Sequence, residues 1–410
     1  MYLSHLTLQY FRSLYNIDLP LKPLTIIIGP NASGKSNLFH ALRFLYDAVV
    51  GDRLDWQVYD SQIDDLRWYG LDDFGKRPDK LHFNLRYSEA GTDLVNYHTV
   101  FQCGDYLEIV EEILKIHVGN ELFPYFERQG ENIHQRIGYR GNVLKNPYYS
   151  RARSNRNLHL REEGPSLIVP LPQLVYKHIT GWRFFDVDLQ QARRETFIPQ
   201  YPEEVPPLSG NASNLSAFLY ALYQRRYDDY TAIIDKMTDF IELPQSLMVE
   251  HDAERGGQNA RYRFIEQPFS ENRLIPPTSM SDGTIRLLAL LALLLADHTV
   301  TLACLEEPDH GLHPRLMLYL ADIVRQAIEA PLEEDEAVGT SITPPQIIIT
   351  THSPEFMDCF DLAAEADYLQ VYIADRDEDG KTLLTPTTAE EFAPWLEKYR
   401  LGEAVRRRFI

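Results

Sequence analysis

Four short segments carry the residue types that phosphate chemistry needs, and the first is the loop Gly29–Ser36, which reads GPNASGKS. It fits the pattern G-x-x-x-x-G-K-[ST] in full. Glycines let the backbone approach phosphate groups closely, and successive N–H groups can then point inward as an anion nest. We expect Lys35 to reach the β- and γ-phosphates of a nucleotide and Ser36 to place its hydroxyl on Mg²⁺.

Two adjacent carboxylates, Glu306 and Glu307, follow the strand-like run Val300–Leu305. Carboxylates at the tip of a strand suit the handling of a metal ion and a water molecule. We expect Glu306 to hold Mg²⁺, directly or through water, and Glu307 to orient or deprotonate the attacking water. A solvated acidic turn is the alternative, because exposed glutamate pairs are common.

A hydroxyl-containing turn, Ser281–Thr284, reads SDGT and opens a strongly apolar helical pattern. The free N–H groups of a helix N-terminus can bind an anion, and a neighbouring hydroxyl adds a further donor. Ser and Asp are also preferred helix caps, so an ordinary cap is the alternative. The position of this turn just ahead of the Glu306–Glu307 strand favours the anion site.

A histidine lies in the segment Thr350–Pro354, which reads TTHSP and follows a buried strand. Polar residues at the C-terminal edge of a parallel strand face the ligand crevice. His352 can therefore contact or sense the γ-phosphate, although a lone histidine in a loop is more often structural.

The elements expected to position these segments alternate between strands and helices. The phosphate-binding loop is preceded by a predicted buried strand, Leu24–Ile28, and is followed by apolar residues at helical spacing, Leu38, Leu42, Leu45 and Val49. Further on, the pattern predicts helices over Gly283–Ala296 and from Pro314 to about Ala330, and strands over Val300–Leu305 and Gln346–Thr350. This alternation predicts an α/β core with a largely parallel sheet.

The region from about Asp52 to Pro277 shows only weak periodicity. It contains strand-like pieces at Leu81–Tyr87 and Ser166–Val169 and one clear helical pattern at Leu215–Tyr227. Apolar residues do not repeat in heptads over three or more turns, so we expect no long coiled coil. The residues Pro331–Pro345 are expected to form an acidic surface loop.

The 410-residue chain has a formal net charge of −20, so it repels nucleic acid on average. Any contact with DNA must therefore use a local basic patch or a partner. The candidate patches are Arg136–Arg161, where basic residues alternate with tyrosines, and Arg406–Arg408. A solvated flexible loop is nevertheless the more common interpretation of such segments, and it applies to both.

The cysteines and the apolar segments indicate the cellular environment. Cys103, Cys304 and Cys359 show no metal-ligand spacing and are expected to be reduced and mostly buried. The N-terminus lacks the pattern of a signal peptide, and the most apolar stretch, Leu287–Ala296, is too short to cross a membrane. We therefore expect a soluble, cytoplasmic protein without a membrane contact.

Taken together, these motifs resemble those of ABC-type P-loop ATPases, in the group that includes RecF, Rad50 and SMC heads. Ser281–Thr284 resembles the signature loop, Glu306 the Walker B acid, Glu307 the catalytic glutamate, Asp309–Pro314 the D-loop and His352 the switch histidine. Standalone bacterial ATPases of the AAA_21 type are also similar in three further segments, Phe11–Ser13, Gly181–Phe185 and Tyr399–Glu403.

The resemblance implies ATP and Mg²⁺ as cofactors and assigns a role to individual residues. The nucleotide would be contacted by Arg12, Asn31, Ser33, Gly34, Lys35, Ser36 and Asn37, and by Ser281, Asp282, Gly283 and Thr284. Ser36 and Glu306 would hold the metal, and Glu307 and His352 would act in catalysis. Gln190 and Gln191 are the candidates for the glutamine of the Q-loop.

The implied fold class is α/β, with a mixed or parallel sheet core flanked by helices, a helical or irregular insertion lobe and no long coiled coil. It implies one ABC-type ATPase domain over residues 1–410. Residues 1–50 and 280–410 would form the core of lobe I, and residues 51–279 would form an inserted middle region.

In this family the signature loop of one copy completes the ATP site of the other, so the resemblance implies a nucleotide-gated homodimer in DNA repair or anti-phage defence. The alternative is an ATP-gated scaffold that controls a separate effector protein, a nuclease or a toxin. The long interval between Ser36 and Ser281 disfavours a transporter ATPase. We also expect no intrinsic nuclease, because few residues follow His352. The D-x-D pair Asp375 and Asp377 resembles a metal site, but a hairpin turn over Asp377–Gly380 is the simpler interpretation.

Overall fold

The computed structural model of the chain divides into two compact units, with Met1–Trp182 and Ala366–Thr388 in unit 1 and Arg183–Glu365 and Ala389–Ile410 in unit 2. The structure describes all residues except 51–58, 60–61, 90, 119–120, 138–142, 152–157, 159, 161–169, 199–202, 240–245, 253–258, 267–272, 330–332, 336–339, 343, 389, 391–401 and 403–410. The predicted arrangement of a lobe I core around an inserted middle region stays a prediction.

An eight-stranded antiparallel sheet dominates unit 1. Its members are β1 (Tyr2–Phe11), β2 (Leu14–Pro20), β4 (Lys80–Glu89), β5 (Thr92–Cys103), β6 (Leu107–Val118), β7 (Glu121–Gln129), β8 (Asn132–Ile137) and β9 (Val143–Arg151). They lie in the order β2-β1-β4-β5-β6-β7-β8-β9, so the six strands from β4 to β9 are neighbours in the sheet in the order in which they follow in the chain. Such a meander needs only short turns between its strands.

The predicted strand Leu81–Tyr87 is confirmed within β4, where Leu81, Phe83, Leu85 and Tyr87 are fully buried and the residues between them are partly exposed. The alternative interpretation of Arg136–Arg161 as a flexible loop is wrong for Val143–Arg151, because these residues form β9 and pair with β8. The predicted strand Ser166–Val169 and the basic cluster Arg406–Arg408 lie outside the described residues.

A second sheet of unit 1 carries the phosphate-binding loop. The strand β3 (Leu24–Ile28) is buried along its whole length and pairs in parallel with β19 (Leu369–Arg376), which pairs in turn with the antiparallel strand β20 (Thr382–Thr387). The helix α1 (Lys35–Val50) follows β3, and Leu38, Leu42, Leu45 and Val49 are buried on it as predicted. Two further helices of unit 1 are α2 (Ile63–Leu66) and α3 (Pro170–Thr180).

The predicted hairpin turn Asp377–Gly380 is confirmed between β19 and β20. The Gly380 N–H donates to the Asp377 carbonyl at 3.0 Å, and Gly380 has a φ of 84°. The Asp377 carboxylate also accepts from the Lys381 N–H at 2.7 Å, as an aspartate in a tight turn commonly does.

Unit 2 contains a parallel pair of buried strands, β15 (Leu302–Glu306) and β18 (Gln346–Thr351), with β10 (Trp182–Phe185) beside β15. The helix predicted from Pro314 is confirmed as α8 (Pro314–Glu329). The helix predicted over Gly283–Ala296 is α-helical only in α7 (Asp282–Leu291), because Ala292–Ala296 continue as a π-helical turn. Wider turns of this kind arise where packing demands an extra residue.

The remaining elements of unit 2 form an antiparallel sheet and several short helices. The sheet contains β11 (Thr196–Phe197), β12 (Ser246–Asp252), β13 (Asn259–Glu266) and β14 (Arg273–Ile275). The helices are α4 (Leu189–Ala192), α5 (Leu215–Arg225), α6 (Tyr227–Thr238), a 3₁₀ turn at Pro277–Ser279 and α9 (Pro354–Met357).

Two predictions for unit 2 need correction. The helical pattern predicted over Leu215–Tyr227 is split, since α5 ends at Arg225 and α6 begins at Tyr227. The acidic segment predicted as a loop contains a short antiparallel ladder between β16 (Glu333–Asp335) and β17 (Thr340–Ile342). The charged residues that suggested a loop do not prevent backbone pairing.

The cysteine prediction is confirmed, since all three thiols are free, Cys103 and Cys304 are buried and Cys359 is half-buried. Among the described residues, no helix combines the length and the apolar character that a membrane crossing requires.

A buried histidine on α3 makes the stability of the protein depend on pH. His178 accepts a hydrogen bond from Trp182 Nε1 at 3.0 Å, and burial lowers its pKa to about 3. Below a pH of about 6.5 the unfolded chain binds a proton that the folded chain does not, so stability falls as the pH falls.

We expect the free energy of unfolding to drop by about 2 kcal/mol between pH 7 and pH 5 from His178 alone. Urea denaturation at several pH values should therefore show a shallower pH dependence for His178→Gln than for the unchanged protein. Equal slopes for the two proteins would show that His178 does not stay neutral in the fold.

Candidate functional site

The phosphate-binding loop of unit 1 joins β3 to the N-terminus of α1. The Lys35 ammonium donates to the carbonyls of Gly29 and Pro30 at 2.7 and 2.9 Å, so the side chain lies along the loop and is buried. Ala32 and Gly34 have φ values of 65° and 98°. Residues with positive φ turn successive N–H groups toward one side, which is the geometry of an anion nest at a helix N-terminus.

Gly34 occupies a position where no other residue fits. A β-carbon at this residue would lie 1.9 Å from Thr382 Oγ1 and 2.9 Å from Ser13 Oγ, and the positive φ disfavours any side chain. The close approach lets the loop pack directly on β20. The packing alone therefore requires a glycine at the second glycine position of the motif.

Residues that lie outside the loop hold it in place through a chain of hydrogen bonds. Asn37 Nδ2 donates to Ser13 Oγ at 2.7 Å, Ser13 Oγ lies 2.6 Å from Thr382 Oγ1, and Thr382 Oγ1 donates to the Ser33 carbonyl at 3.1 Å. The Thr382 N–H also donates to the Ser13 carbonyl at 2.8 Å. The motif patterns of the sequence do not identify Thr382 or this role of Ser13, because the residues are far apart in the chain.

The loop side chains fit a phosphate ligand. Ser33 Oγ is buried and has no hydrogen-bond partner among the described residues, which is costly unless a ligand or water satisfies it. Asn31 and Ser36 are exposed, and Asn37 is half-buried. The structure thus brings together all the predicted nucleotide-binding residues of unit 1 around one helix N-terminus.

Arg12 lies beside this loop in a backbone conformation that is unusual for arginine, with a φ of 49°. Its N–H donates to the Leu66 carbonyl at 2.8 Å, and its Nη1 lies 3.5 Å from Asn37 Oδ1. The side chain borders a cavity of about 700 Å³ in unit 1, whose other lining residues include Ser13, Asn37, Trp68 and Tyr69.

The aromatic wall of this cavity is a feature that the sequence patterns do not reveal. Trp68 is almost fully buried, and its indole Nε1 finds no hydrogen-bond partner among the described residues. Tyr69 is exposed, and the Arg77 guanidinium lies 5.5 Å from the centre of its ring. A pocket of this size with aromatic residues in its wall suits a planar heterocycle.

In unit 2 the two glutamates stand at the end of β15. Glu306 pairs in register with Thr350 of β18, and the Glu307 N–H donates to the Thr350 carbonyl at 2.9 Å. Glu307 has a φ of 43°, a conformation that costs about 1–3 kcal/mol in a residue with a side chain. The chain therefore turns sharply after Glu306, and the two carboxylates do not alternate as they would along a strand.

His352 lies at the end of the neighbouring strand and contacts Glu307. Its Nδ1 is 2.9 Å from Glu307 Oε1; His352 is exposed and Glu307 is half-buried. If the imidazole is neutral and donates from Nδ1 to Glu307, its Nε2 is left as a hydrogen-bond acceptor. The predicted pair of catalytic residues is thus brought within hydrogen-bond distance inside one unit.

Asp309 accepts a hydrogen bond from Thr351, the residue that precedes His352. Its Oδ2 accepts from Thr351 Oγ1 at 3.0 Å, and its Oδ1 is buried without a partner among the described residues. Burial raises the pKa of this carboxyl, and the Thr351 hydrogen bond opposes that effect. Thr351 also accepts from the Ser353 N–H at 3.0 Å, so the same threonine shapes the loop that carries His352.

The Ser281–Thr284 turn opens α7 in the way that its residue types predict. Ser281 Oγ accepts from the Thr284 N–H at 3.2 Å and lies 2.8 Å from Thr284 Oγ1, so Ser281 is a helix cap whatever else it binds. A β-carbon on Gly283 would lie 3.5 Å from Leu312 Cδ2 and 3.7 Å from the Gly311 carbonyl. The signature-like turn therefore packs next to the D-loop-like segment.

Arg193 binds the segment that leads into this turn. The sequence patterns do not indicate this role of Arg193. Its guanidinium donates to the carbonyls of Pro277 and Met280, both at 3.1 Å, and to Asp282 Oδ1 at 2.6 Å. The candidate Q-loop glutamines Gln190 and Gln191 lie in α4, and their N–H groups donate to the Asp188 carboxylate.

Two family models match parts of the chain. The model described as "AAA domain, putative AbiEii toxin, Type IV TA system" matches residues 183–358, and the model described as "AAA ATPase domain" matches residues 1–93. The two matches include, respectively, the Glu307–His352 pair and the phosphate-binding loop.

Similar curated proteins share short segments with this chain. The OLD nuclease of Thermus scotoductus is 48% identical over 50 residues, which are 12% of this chain and 9% of that protein. The DNA replication and repair protein RecF of Lactobacillus acidophilus is 52% identical over 46 residues, and RecF of Roseiflexus castenholzii is 46% identical over 46 residues. The alignments cover 11% of this chain and 12% of each RecF protein.

Solved structures of SMC heads share the fold. A structure of the SmcHead bound to the C-winged helix domain of ScpA has a TM-score of 0.56 and 14% identity, and covers 96% of this chain and 100% of that one. An Smc head with an extended coiled coil, bound to the C-terminal domain of ScpA derived from Pyrococcus furiosus, has a TM-score of 0.50 and 12% identity, and covers 97% of this chain and 99% of that one. Residues 1–93 and 183–358 thus match models of ATPase domains, short segments are similar to RecF, and the fold is that of SMC heads, so the chain is similar to P-loop ATPases of the RecF/SMC-like group.

Proposed function

We propose that the chain binds ATP with Mg²⁺ and hydrolyses it. The observation that carries the hydrolytic part is the 2.9 Å contact between His352 Nδ1 and Glu307 Oε1 at the ends of two adjacent parallel strands. A carboxylate fixed by an imidazole can orient a water molecule and accept its proton. The carboxyl ends of parallel strands are the usual location of ligands in α/β sheets.

In this proposal the residues of unit 1 hold the triphosphate. Lys35 is already directed along the loop, and its ammonium would exchange carbonyl contacts for the β- and γ-phosphates. The Ser33 hydroxyl, which is buried without a partner among the described residues, would donate to a phosphate oxygen. Ser36 and Glu306 offer the oxygen donors that Mg²⁺ prefers, and the ion would neutralise charge on the phosphates.

The cavity beside Arg12 is the proposed site of the adenine base. It adjoins the loop through Asn37 and Ser13, so a nucleotide whose phosphates occupy the loop can extend into it. The Trp68 indole N–H is the one buried donor of this wall that lacks a partner among the described residues. It would donate to an acceptor on the base or the ribose.

In this proposal two copies of the chain form a dimer when ATP binds. The signature-like turn Ser281–Thr284 would meet the γ-phosphate of a second copy, so ATP would contact both copies only in the closed state and would shift the equilibrium toward it. The RecF relatives are replication and repair proteins, and one matching domain model refers to a toxin system. A role in DNA repair or anti-phage defence is proposed on that ground, with no nuclease activity of the chain itself.

A second candidate function is an ATP-gated scaffold with little turnover. The SMC heads that share this fold are bound to domains of ScpA, so a head of this type can carry a separate protein. Strong ATP-dependent association with slow turnover would favour the scaffold, whereas stimulation of turnover by DNA would favour the repair role.

Replacement of the proposed catalytic carboxylate should separate binding from hydrolysis. We expect Glu307→Gln to lower the rate of ATP hydrolysis by about 10²- to 10³-fold, because the amide cannot accept the proton of the water. ATP affinity should change little, and size-exclusion chromatography with ATP should show a trapped dimer. The control is Glu329→Gln, at an exposed residue on α8. Equal rates of ATP hydrolysis for the two variants would show that Glu307 is not the catalytic carboxylate.

The base site should depend on the indole N–H of Trp68. We expect Trp68→Phe, which keeps an aromatic ring, to weaken ATP binding by about 3- to 10-fold, since one hydrogen bond is worth about 1 kcal/mol. Binding of inorganic tripolyphosphate should be unchanged, because it occupies only the loop. Titration of both ligands tests this, and an equal loss for both would place the base elsewhere.

The hydroxyl of Thr382 should support the loop, and β20 supplies a matched control. Thr382 and Thr387 are both buried on this strand, but the Thr387 hydroxyl has no partner among the described residues. We expect Thr382→Val to destabilise the fold by about 1–3 kcal/mol and to weaken ATP binding, because two partners lose their hydrogen bond. Thr387→Val should be neutral or stabilising in the same urea and ATP titrations.

A further inference from the structure

A three-residue cluster in unit 2 has the composition of a transition-metal site. Glu307, His310 and His352 each offer one ligand atom, and these three atoms lie within 4.8 Å of one another. Two of the residues belong to the proposed hydrolytic machinery, but His310 has no role there. It follows Glu307 by three residues on the segment that resembles a D-loop.

Local backbone geometry places His310 next to the Glu307–His352 pair. The His310 N–H donates to the Glu307 carbonyl at 3.0 Å, so a tight turn returns His310 to the glutamate. The rings of His310 and His352 lie with their centres 6.4 Å apart at an angle of 52°. Both histidines are exposed and Glu307 is half-buried, so an ion from solvent can reach all three side chains.

The donor set distinguishes this cluster from the Mg²⁺ site. Two imidazoles and one carboxylate are the ligands of many zinc centres, whereas Mg²⁺ prefers oxygen donors and keeps most of its water. Three protein ligands leave a coordination position open for water, as in zinc sites that are not fully enclosed. Ser36 and Glu306, which would hold Mg²⁺, do not belong to the cluster.

We propose that Glu307, His310 and His352 bind a divalent transition-metal ion such as Zn²⁺, and that the bound ion inhibits ATP hydrolysis. Inhibition follows because the ion engages the lone pairs with which Glu307 would accept a proton and replaces the His352–Glu307 hydrogen bond. The inhibitory part rests on the proposed ATPase function, whereas binding of the ion does not.

Metal binding is measured first on the purified full chain without nucleotide, by calorimetric titration with Zn²⁺ and by the visible absorption of Co²⁺. We expect one ion per chain in the unchanged protein. His310→Ala should weaken Zn²⁺ binding by at least about tenfold, because one of three ligands is lost. His313→Ala is the matched control, since this exposed histidine lies three residues further on and outside the cluster, and it should change the affinity by less than about twofold.

Inhibition is measured as the ratio of ATPase rates with and without micromolar Zn²⁺ in excess Mg²⁺. The ratio should fall well below one for the unchanged protein and for His313→Ala, and should stay near one for His310→Ala. Absence of Zn²⁺ binding, or equal binding by both histidine variants, would overturn the metal site. Zn²⁺ binding by a protein that shows no affinity for ATP would instead refute the proposed function and leave the metal site standing.

Discussion

Gly34 packs so closely on β20 that the conformation of the phosphate-binding loop and the position of that strand depend on each other. Within the loop, the Ser33 N–H donates to the Pro30 carbonyl at 3.3 Å, and the Lys35 ammonium donates to the Gly29 and Pro30 carbonyls. A further restraint comes from residues outside the loop, through the hydrogen bonds from Asn37 to Ser13, Ser13 to Thr382 and Thr382 to the Ser33 carbonyl. These contacts leave the buried Ser33 hydroxyl without a partner among the described residues.

The residues that are proposed to act in hydrolysis are positioned in a different way, by paired strands and a strained turn. Two parallel strands bring Glu306 and Thr350 side by side, and a strained turn at Glu307 moves the next carboxylate out of the sheet. Strain of this kind persists only where neighbouring contacts impose it, and the bond from the Glu307 N–H to the Thr350 carbonyl is such a contact. The carboxylate thereby lies beside His352, with Oε1 2.9 Å from the histidine Nδ1.

The local elements of the fold could be predicted from sequence, whereas the long-range contacts could not. The strand β3, the helix α1 and the strand β18 have strong apolar patterns, and their predictions are confirmed. The sequence patterns do not predict most strands of the eight-stranded sheet. In β6, for example, Glu112 is fully buried and paired with the equally buried Arg128, so charge interrupts the expected alternation. Burial of a charged pair depends on a partner that no local window contains.

The same limit applies to the site. Motif spacing predicts which residues of unit 1 surround the loop, but the support from Thr382 and the Trp68 wall arises from tertiary contacts. The roles of the site residues in nucleotide binding and catalysis stay predictions.

The position of Thr382 in the chain also has a consequence for biosynthesis. Ser33 emerges early from the ribosome, yet the hydroxyl that holds its carbonyl belongs to a residue made 349 positions later. Within unit 1, β3 likewise finds its parallel neighbour only in β19. Contacts between such distant segments form slowly and only after their loops close. A nascent chain would therefore carry an unsupported phosphate-binding loop until Thr382 has been made and β20 has paired with β19.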